Sequence, residues 1–567
     1  MKDRRWFTLW GLAALLLSGL AIATPPTAKR GSSQFVQTDG ASFIVNGSKF
    51  RYVGTNAYWL PVLNTEQDIW NTLGNISAIG AKVVRLWAFN DVTTTPSDGT
   101  WFQLVQNGKV SINDGPNGLQ KLDTVIQMAE QHGLYVIMTL TNNWYPTASN
   151  STGSSLQARG GTTEITLPRN YLSNDYGGMD LYVRQFGLQY HDQFYTDEKV
   201  VMAFKNFTSQ VVTRYVNSPT VFSWELANDP RCSSTLPMSG SCTTETITQW
   251  HATMAAYIRS IDPNHLISSG NQGYMCTNCA KLYPLNPAPA PQPSPAPGSK
   301  KRSVPVSSEQ ILRKRAESRR LNRRAAKLAG KLKEDGIRVR GRWAATATRR
   351  QQSQEVGSAY DGSYGVDSQD ILNIPDISFG TFQLFPDQDA YAASDPSLSS
   401  YQNMVNAGVD WITNQAQSAD AVGKPLIMTA FGLVTQSNAA DFVPFNMTTA
   451  PYATNTSLDV TNQKRDTSYG VTNQEQTDAY ENWLTTSVSL NLAGMIQYQW
   501  GQGNLTAETG TTISPGVTGI TPSSDSTGTS QSNDTTGVSP NDGYSSNSNA
   551  DSIQQVISST ANNIASD

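Results

Sequence analysis

Between residues 51 and 500, eight short Val/Ile-rich segments alternate with longer stretches of helical periodicity, and that alternation leaves few folds open. The segments are 51–57, 82–87, 135–140, 220–226, 265–269, 377–383, 425–430 and 494–499. Near-continuous apolar strands are buried on both faces, which requires a parallel sheet wrapped by helices. Eight such units predict an α/β chain folded as a (β/α)8 TIM barrel with inserted loops. Helices are predicted at 66–79, 119–132, 197–215, 245–261, 399–420 and 473–489, with a closing one at 551–564. Asp39 and Gly40 separate two short β patterns, 34–38 and 41–45, which predicts a hairpin across the barrel floor. Functional groups of such a barrel gather at the carboxyl ends of its strands.

The amino terminus carries a charged start, an apolar run from Trp6 to Thr24 and then Pro25 and Pro26. This pattern predicts a signal peptide over 1–24, and Lys29-Arg30 resembles a kexin-type processing site closing a short propeptide at 25–30. No later segment has the roughly 18 uninterrupted apolar residues of a membrane span. Eight Asn-x-Ser/Thr sequons, at Asn46, Asn75, Asn150, Asn206, Asn446, Asn455, Asn504 and Asn533, suit a secreted glycoprotein. Cys232, Cys242, Cys276 and Cys279 predict two disulfides in an oxidising compartment. Neighbours in sequence, 232 with 242 and 276 with 279, are the preferred pairing of the three that four cysteines allow. A four-cysteine zinc site is the rival, and the spacing suits it poorly.

Two segments interrupt the barrel pattern within 31–567. The first, 285–357, opens on a Pro/Ala run and continues into a basic arm; residues 300–350 hold 18 of the 41 Lys and Arg but only 4 of the 45 acids. The remainder of the chain is correspondingly acidic. The arm reads as a surface insertion between the fifth and sixth strands, as a substrate for dibasic cleavage, or as a patch for an anionic wall polymer. Nucleic acid is not an expected partner, because the arm lacks interleaved aromatics and the chain reads as secreted. The second segment, 503–540, is rich in Ser, Thr and Gly and predicts an irregular, O-glycosylated loop.

Specific blocks then narrow the reading. They are GTNAYW (54–59), VRLWA (84–88), LTNNW (140–144), YGGMD (176–180), HDQFYT (191–196), VFSWELANDPRC (221–232) and KPLIMTAFG (424–432). Together these resemble fungal endo-β-1,4-mannanases of glycoside hydrolase family 5, over about 34–284, 358–502 and 538–564. The resemblance implies a retaining reaction, in which two carboxyl groups about 5–5.5 Å apart protonate the leaving oxygen and attack the anomeric carbon.

This chain departs from that pattern where the chemistry would occur. Asp229 stands at the acid/base position in place of Glu. The shorter side chain withdraws the carboxyl by roughly 1.5 Å, on a scale where about 1 Å can cost about 10²-fold. Ala430 stands at the nucleophile position, and a methyl group cannot form a glycosyl-enzyme. The resemblance implies His, Tyr and Trp where the chain has Gln383, Phe385 and Tyr498. Glu225, on the same strand as Asp229, is about 13 Å away at the usual rise and cannot replace the missing partner.

On the binding side, the resemblance gives Arg85 the task of steadying a nucleophile, its alternative being an ion pair under the mouth. Asn228 would hydrogen-bond a sugar hydroxyl. Trp59, Trp87 and Trp144 would stack on pyranose rings or else pack in the rim; His191 reads as structural. Four scattered His give no metal pattern, and serine-elbow and P-loop motifs are absent from the sequence. No cofactor is expected. The expectation is a secreted, monomeric, non-catalytic mannanase homologue that binds β-mannan or another cell-wall polysaccharide in the old cleft. The alternative is a rewired glycoside hydrolase using Asp229 with water and a second carboxylate from Asp180, Asp387 or Asp389.

Overall fold

The computed structural model describes residues 35–146, 154–156, 165–285, 338–339, 342–343, 357–448, 450, 469–508, 511–515 and 536–565. Eight parallel strands form the central sheet: Tyr52–Asn56, Val83–Trp87, Tyr135–Thr139, Val221–Glu225, Leu266–Ser268, Gly380–Leu384, Leu426–Phe431 and Gly494–Gln497. A parallel bridge from Ser268 to Phe379 joins the fifth and sixth strands and closes the (β/α)8 barrel. Every strand named in the sequence is present. The sixth starts later than expected, because Ser378 donates its amide to Ile267 and Phe379 contributes only that bridge.

The strands are buried nearly end to end, as their Val/Ile content requires. The predicted helices form at Glu66–Ala78, Gln120–His132, Glu198–Tyr215, Thr244–Ile261, Ser400–Val422, Asn473–Ser489 and Ala550–Ala565. Two starts are fixed by reciprocal capping, Ser399 with Gln402 and Thr472 with Glu475.

The floor is closed as predicted, with one strand more. Gln37–Asp39 and Ser42–Val45 pair through the Asp39-Gly40 turn, and Ser48–Phe50 extends the hairpin into a three-stranded sheet. Asn46 and Gly47, both at positive φ, make the second turn. Phe43 is fully buried and meets Phe222 and Phe379 edge-on at 5.0 and 5.2 Å, sealing the bottom of the barrel.

The disulfides are Cys232–Cys242 and Cys276–Cys279, the preferred pairing, so no thiolate remains for zinc. Cys232–Cys242 closes a loop of ten residues' separation beside the mouth. Replacing both cysteines by serine is expected to lower stability by about 2–3 kcal/mol, read as a lower denaturant midpoint at unchanged slope.

The two interruptions differ. The segments expected to be a signal peptide and a propeptide, and nearly all of the basic arm, lie outside the described residues. Within 503–540 the described residues are 503–508, 511–515 and 536–540. Leu505–Thr506 and Ser514–Pro515 both pair with Thr536–Val538, and the Thr512 hydroxyl donates to the Arg169 carbonyl; the rest of the expected loop lies outside the described residues. Among the described residues no helix is long and apolar enough to cross a membrane.

Candidate functional site

The chain leaves the fourth strand between the extensions of its neighbours. Asn228 donates its amide to Thr141, and Asp229 donates to Gly270. This places Asp229 at the mouth with φ of 54°, a left-handed conformation that non-glycine residues seldom hold without surrounding support. Gly270 supplies part of that support by having no side chain: a Cβ there would stand 1.9 Å from the Ala227 carbonyl oxygen.

Asp229 is buried, and both of its carboxylate oxygens are engaged. Arg231 donates from Nε at 2.8 and 3.0 Å, and Trp144 Nε1 donates at 2.9 Å. The Arg231 guanidinium is itself sandwiched by the rings of Trp144, Tyr274 and Tyr364 at 4.6–5.3 Å. Burial pushes the Asp229 carboxyl up, opposed by the Arg231 charge. The group at the acid/base position is therefore one half of a closed ion pair.

A second closed pair lies deeper. Arg85 donates from Nε and Nη2 to one oxygen of Glu225, at 3.0 and 2.5 Å, and both side chains are buried. Its remaining donors go to Asn56 Oδ1 and Asn228 Oδ1. Thr139 adds a bond to the same Glu225 oxygen; Oε2 has no hydrogen-bond partner among the described residues. Arg85 is thus held in a buried ion pair, the second of the two roles open to it. Asn228 is half-buried: Arg85 and Gln383 donate to its Oδ1, and its Nδ2 donates to Asn142.

On the opposite wall, Ala430 is buried on the seventh strand in register with Gln383. Its neighbour Thr429 bonds the Phe382 carbonyl. Phe385 packs edge-on against Tyr498, Tyr544 and Phe445 at 5.2–5.5 Å. The Tyr498 hydroxyl donates to Asp542 at 2.7 Å, and Ser173 and Gln499 donate to the same carboxylate at 2.8 and 2.9 Å. Loops following the third and eighth strands are thereby tied together, and the Val443 amide, after the seventh strand, donates to the Asp542 carbonyl. Asn174, which donates to the carbonyls of Phe445 and Met447, adds a further tie.

The stacking platforms are placed accordingly. Trp59 is wholly buried in the turn after the first strand, and Trp87 is 2% exposed with its indole nitrogen on the Ser173 carbonyl. Both are buried in the rim, the second of the two placements open to them. Trp144, at 9% exposed, serves the Asp229–Arg231 pair. The proposed replacement carboxylates are also engaged. Asp180 binds His191, Ser234 and Thr235; Asp387 accepts from the Val434 amide and Tyr544; Asp389 accepts from Tyr274. His191 holds Asp180 and Asn143 together, the structural role expected of it.

The sequence reading missed Arg231, Tyr274 and Asp542. Arg231 stood inside a quoted block, and its spacing of two from Asp229 was the available signal. Asp542 lies 44 residues beyond Tyr498, with nothing local to couple them. Among the described residues, no group of His, Cys, Asp and Glu is placed to hold a metal ion.

Several buried acids carry raised pKa values because burial disfavours their charge: Asp91 and Asp387 at about 7, and Asp542 at about 6. Each binds its proton more tightly folded than unfolded, so its contribution is full below about 4 and is lost as pH rises through the folded value. His251, buried and pushed down to about 4, acts oppositely and loses stability as pH falls from about 6.5. Three acids against one histidine predict a higher melting midpoint at pH 5 than at pH 7.5. Below about pH 4 the midpoint should fall, as Asp180 and Asp262, whose carboxyls His191 and His265 help hold down, take up protons. A thermal melt across pH 3–8 checks both limbs; a midpoint that climbs steadily to pH 8 contradicts the assignment.

Comparison with known proteins agrees with this architecture. Residues 33–286 match the family described as GH family 5 beta-mannosidase-like. Mannan endo-1,4-beta-mannosidase F of Aspergillus clavatus is 37% identical over 250 residues, covering 44% of this chain and 49% of that protein. Mannan endo-1,4-beta-mannosidase A of Aspergillus aculeatus is 28% identical over 446 residues, 77% of this chain and 84% of that protein. The chain thus spans about half the length of the first relative and most of the second. Among solved structures, the endo-1,4-beta-mannanase of Rhizomucor miehei superposes with a TM-score of 0.52 at 26% identity, covering 82% of this chain and 91% of that one.

Proposed function

We propose that this chain, a mannanase-like barrel homologous to the fungal mannan endo-1,4-β-mannosidases, binds β-mannan or a related cell-wall glycan without hydrolysing it. The observation that carries the reading is the pair of residues at the two catalytic positions. Ala430 offers no nucleophile, and Asp229 is held by Arg231 and Trp144 with both oxygens occupied. A retaining cleavage needs one carboxyl to attack and one to donate a proton, and neither is on offer. The carboxylates that a rewired inverting reaction would use are engaged within the protein as well.

The glycan preference is drawn from the relatives, which are named as mannan endo-1,4-beta-mannosidases. Because Trp59, Trp87, Phe385 and Tyr498 are all buried, contact with a polysaccharide falls on the outer mouth and not on the barrel axis. Secretion is part of the same proposal. The charged and apolar amino terminus supports it, as do the five sequons within the described residues, Asn46, Asn75, Asn206, Asn446 and Asn504, all of which are exposed. The basic arm would add attraction to anionic wall polymers that weakens with salt.

The test is retention of the full-length protein on insoluble β-1,4-mannan, with cellulose and chitin as controls. Selective retention that survives high salt is expected. Equal partition to all three polymers, or salt-released adhesion alone, would remove mannan from the reading.

A further inference from the structure

Directly outside the aromatic wall that closes the barrel axis, the same two loops open again. Residues 386–403, which follow the sixth strand, and residues 433–436, which follow the seventh, border a cavity of about 940 Å³. Tyr469, Val471 and Glu475 complete its far side. The dividing wall is built from Phe385 and Tyr544, fixed by Asp387 and Gln388, which both bond the Tyr544 hydroxyl. A volume of this size lies at the upper end of what small-molecule sites occupy, and it suits a short oligosaccharide.

We infer that this cavity, and not the barrel axis, is where the protein holds a neutral oligosaccharide segment of its glycan; the inference rests on the glycan-binding reading above. Three features of the lining favour that class of ligand. Two half-buried tyrosines, Tyr401 and Tyr469, line it with flat rings already fixed in place. The Tyr401 hydroxyl is anchored on the Glu475 carbonyl, and the Tyr469 ring stacks on Phe442 at 5.5 Å. Flat rings held in this way accept the apolar faces of pyranoses at little entropic cost.

The remaining lining is mixed, with apolar Leu398, Met404 and Leu433 beside acids and amides that can accept or donate to hydroxyls. Among the described residues, no Lys, Arg or His lines it, while Asp387, Asp389, Asp395 and Glu475 do. That balance disfavours phosphorylated or uronic glycans and leaves a neutral chain. The position also suits a polymer, since the cavity opens beside the mouth and is continuous with the loops that enter it.

The experiment is calorimetric titration of the full-length protein with mannohexaose, using two variants of opposite design. Tyr401→Ala removes a ring from the wall, and Ala393→Trp fills the space from an exposed position. Each is expected to weaken binding roughly tenfold or more, while thermal unfolding stays near wild type for Ala393→Trp. Wild-type affinity in both variants would overturn the placement and leave the glycan-binding reading standing. Absence of any heat of binding with the wild-type protein would overturn both together.

Discussion

Replacing Arg85 by leucine should cost about 3–5 kcal/mol, among the largest losses a single substitution in this barrel can produce. The reason is not the value of the salt bridge itself. Glu225 is fully buried with one oxygen already lacking a hydrogen-bond partner, so removal of Arg85 strands a carboxylate in the barrel interior. Asn56 Oδ1 loses the Arg85 donor at the same time, and Asn228 Oδ1 keeps only the bond from Gln383. Urea denaturation of Arg85→Leu, Glu225→Gln and the double variant closes a cycle. The double variant should recover much of the loss, giving a coupling well above 1 kcal/mol. A loss below about 1 kcal/mol in Arg85→Leu would contradict the structural ion-pair role.

The second large effect is at the mouth. Arg231→Leu removes the only ion-pair partner within 4 Å of Asp229 among the described residues, and a loss of similar size, about 3–5 kcal/mol, is expected at neutral pH. This loss should depend on pH. Without the guanidinium, burial alone acts on Asp229 and raises its carboxyl further, so the folded state holds that proton to higher pH. The variant's deficit should therefore be smallest near pH 4 and grow as pH rises. A deficit that is flat across that range would mean that Arg231 acts through its ring contacts and not through its charge.

The barrel was legible because its code is local. Buried parallel strands must be apolar over their whole length, and each run of Val and Ile announces itself without reference to any partner. The third floor strand, Ser48–Phe50, escaped because Lys49 and Ser48 face solvent and only Phe50 packs inward. That Asp229 and Ala430 depart from the mannanase pattern could be read from motif position. What those residues do now could not, because it depends on side chains brought together by closure of the barrel. Arg85 had two readings until Glu225, two strands away around the sheet, was found on its guanidinium. Trp59 and Trp87 could be read as platforms or as rim packing, because strand ends usually open to solvent; here Trp87 bonds the Ser173 carbonyl, beside the Ser173–Asp542–Tyr498 junction that spans 369 residues of sequence.

That junction also explains why five altered positions need not destabilise the fold. Phe385 and Tyr498 form an aromatic contact with Tyr544, and Gln383 completes the hydrogen bonding of Asn228. The side chains that replace the expected shell satisfy one another, so the mouth is closed by packing of core quality.

The account stands or falls on turnover. Reducing-end release from β-1,4-mannan should be measured with the full-length protein and with Asp229→Asn, beside an active mannanase. The account predicts no product above the enzyme-free blank from either protein, a deficit of roughly 10⁴-fold or more against the active enzyme. Product formed by the wild type and abolished by Asp229→Asn would contradict it, since a carboxyl clamped by Arg231 would then be acting as an acid or base.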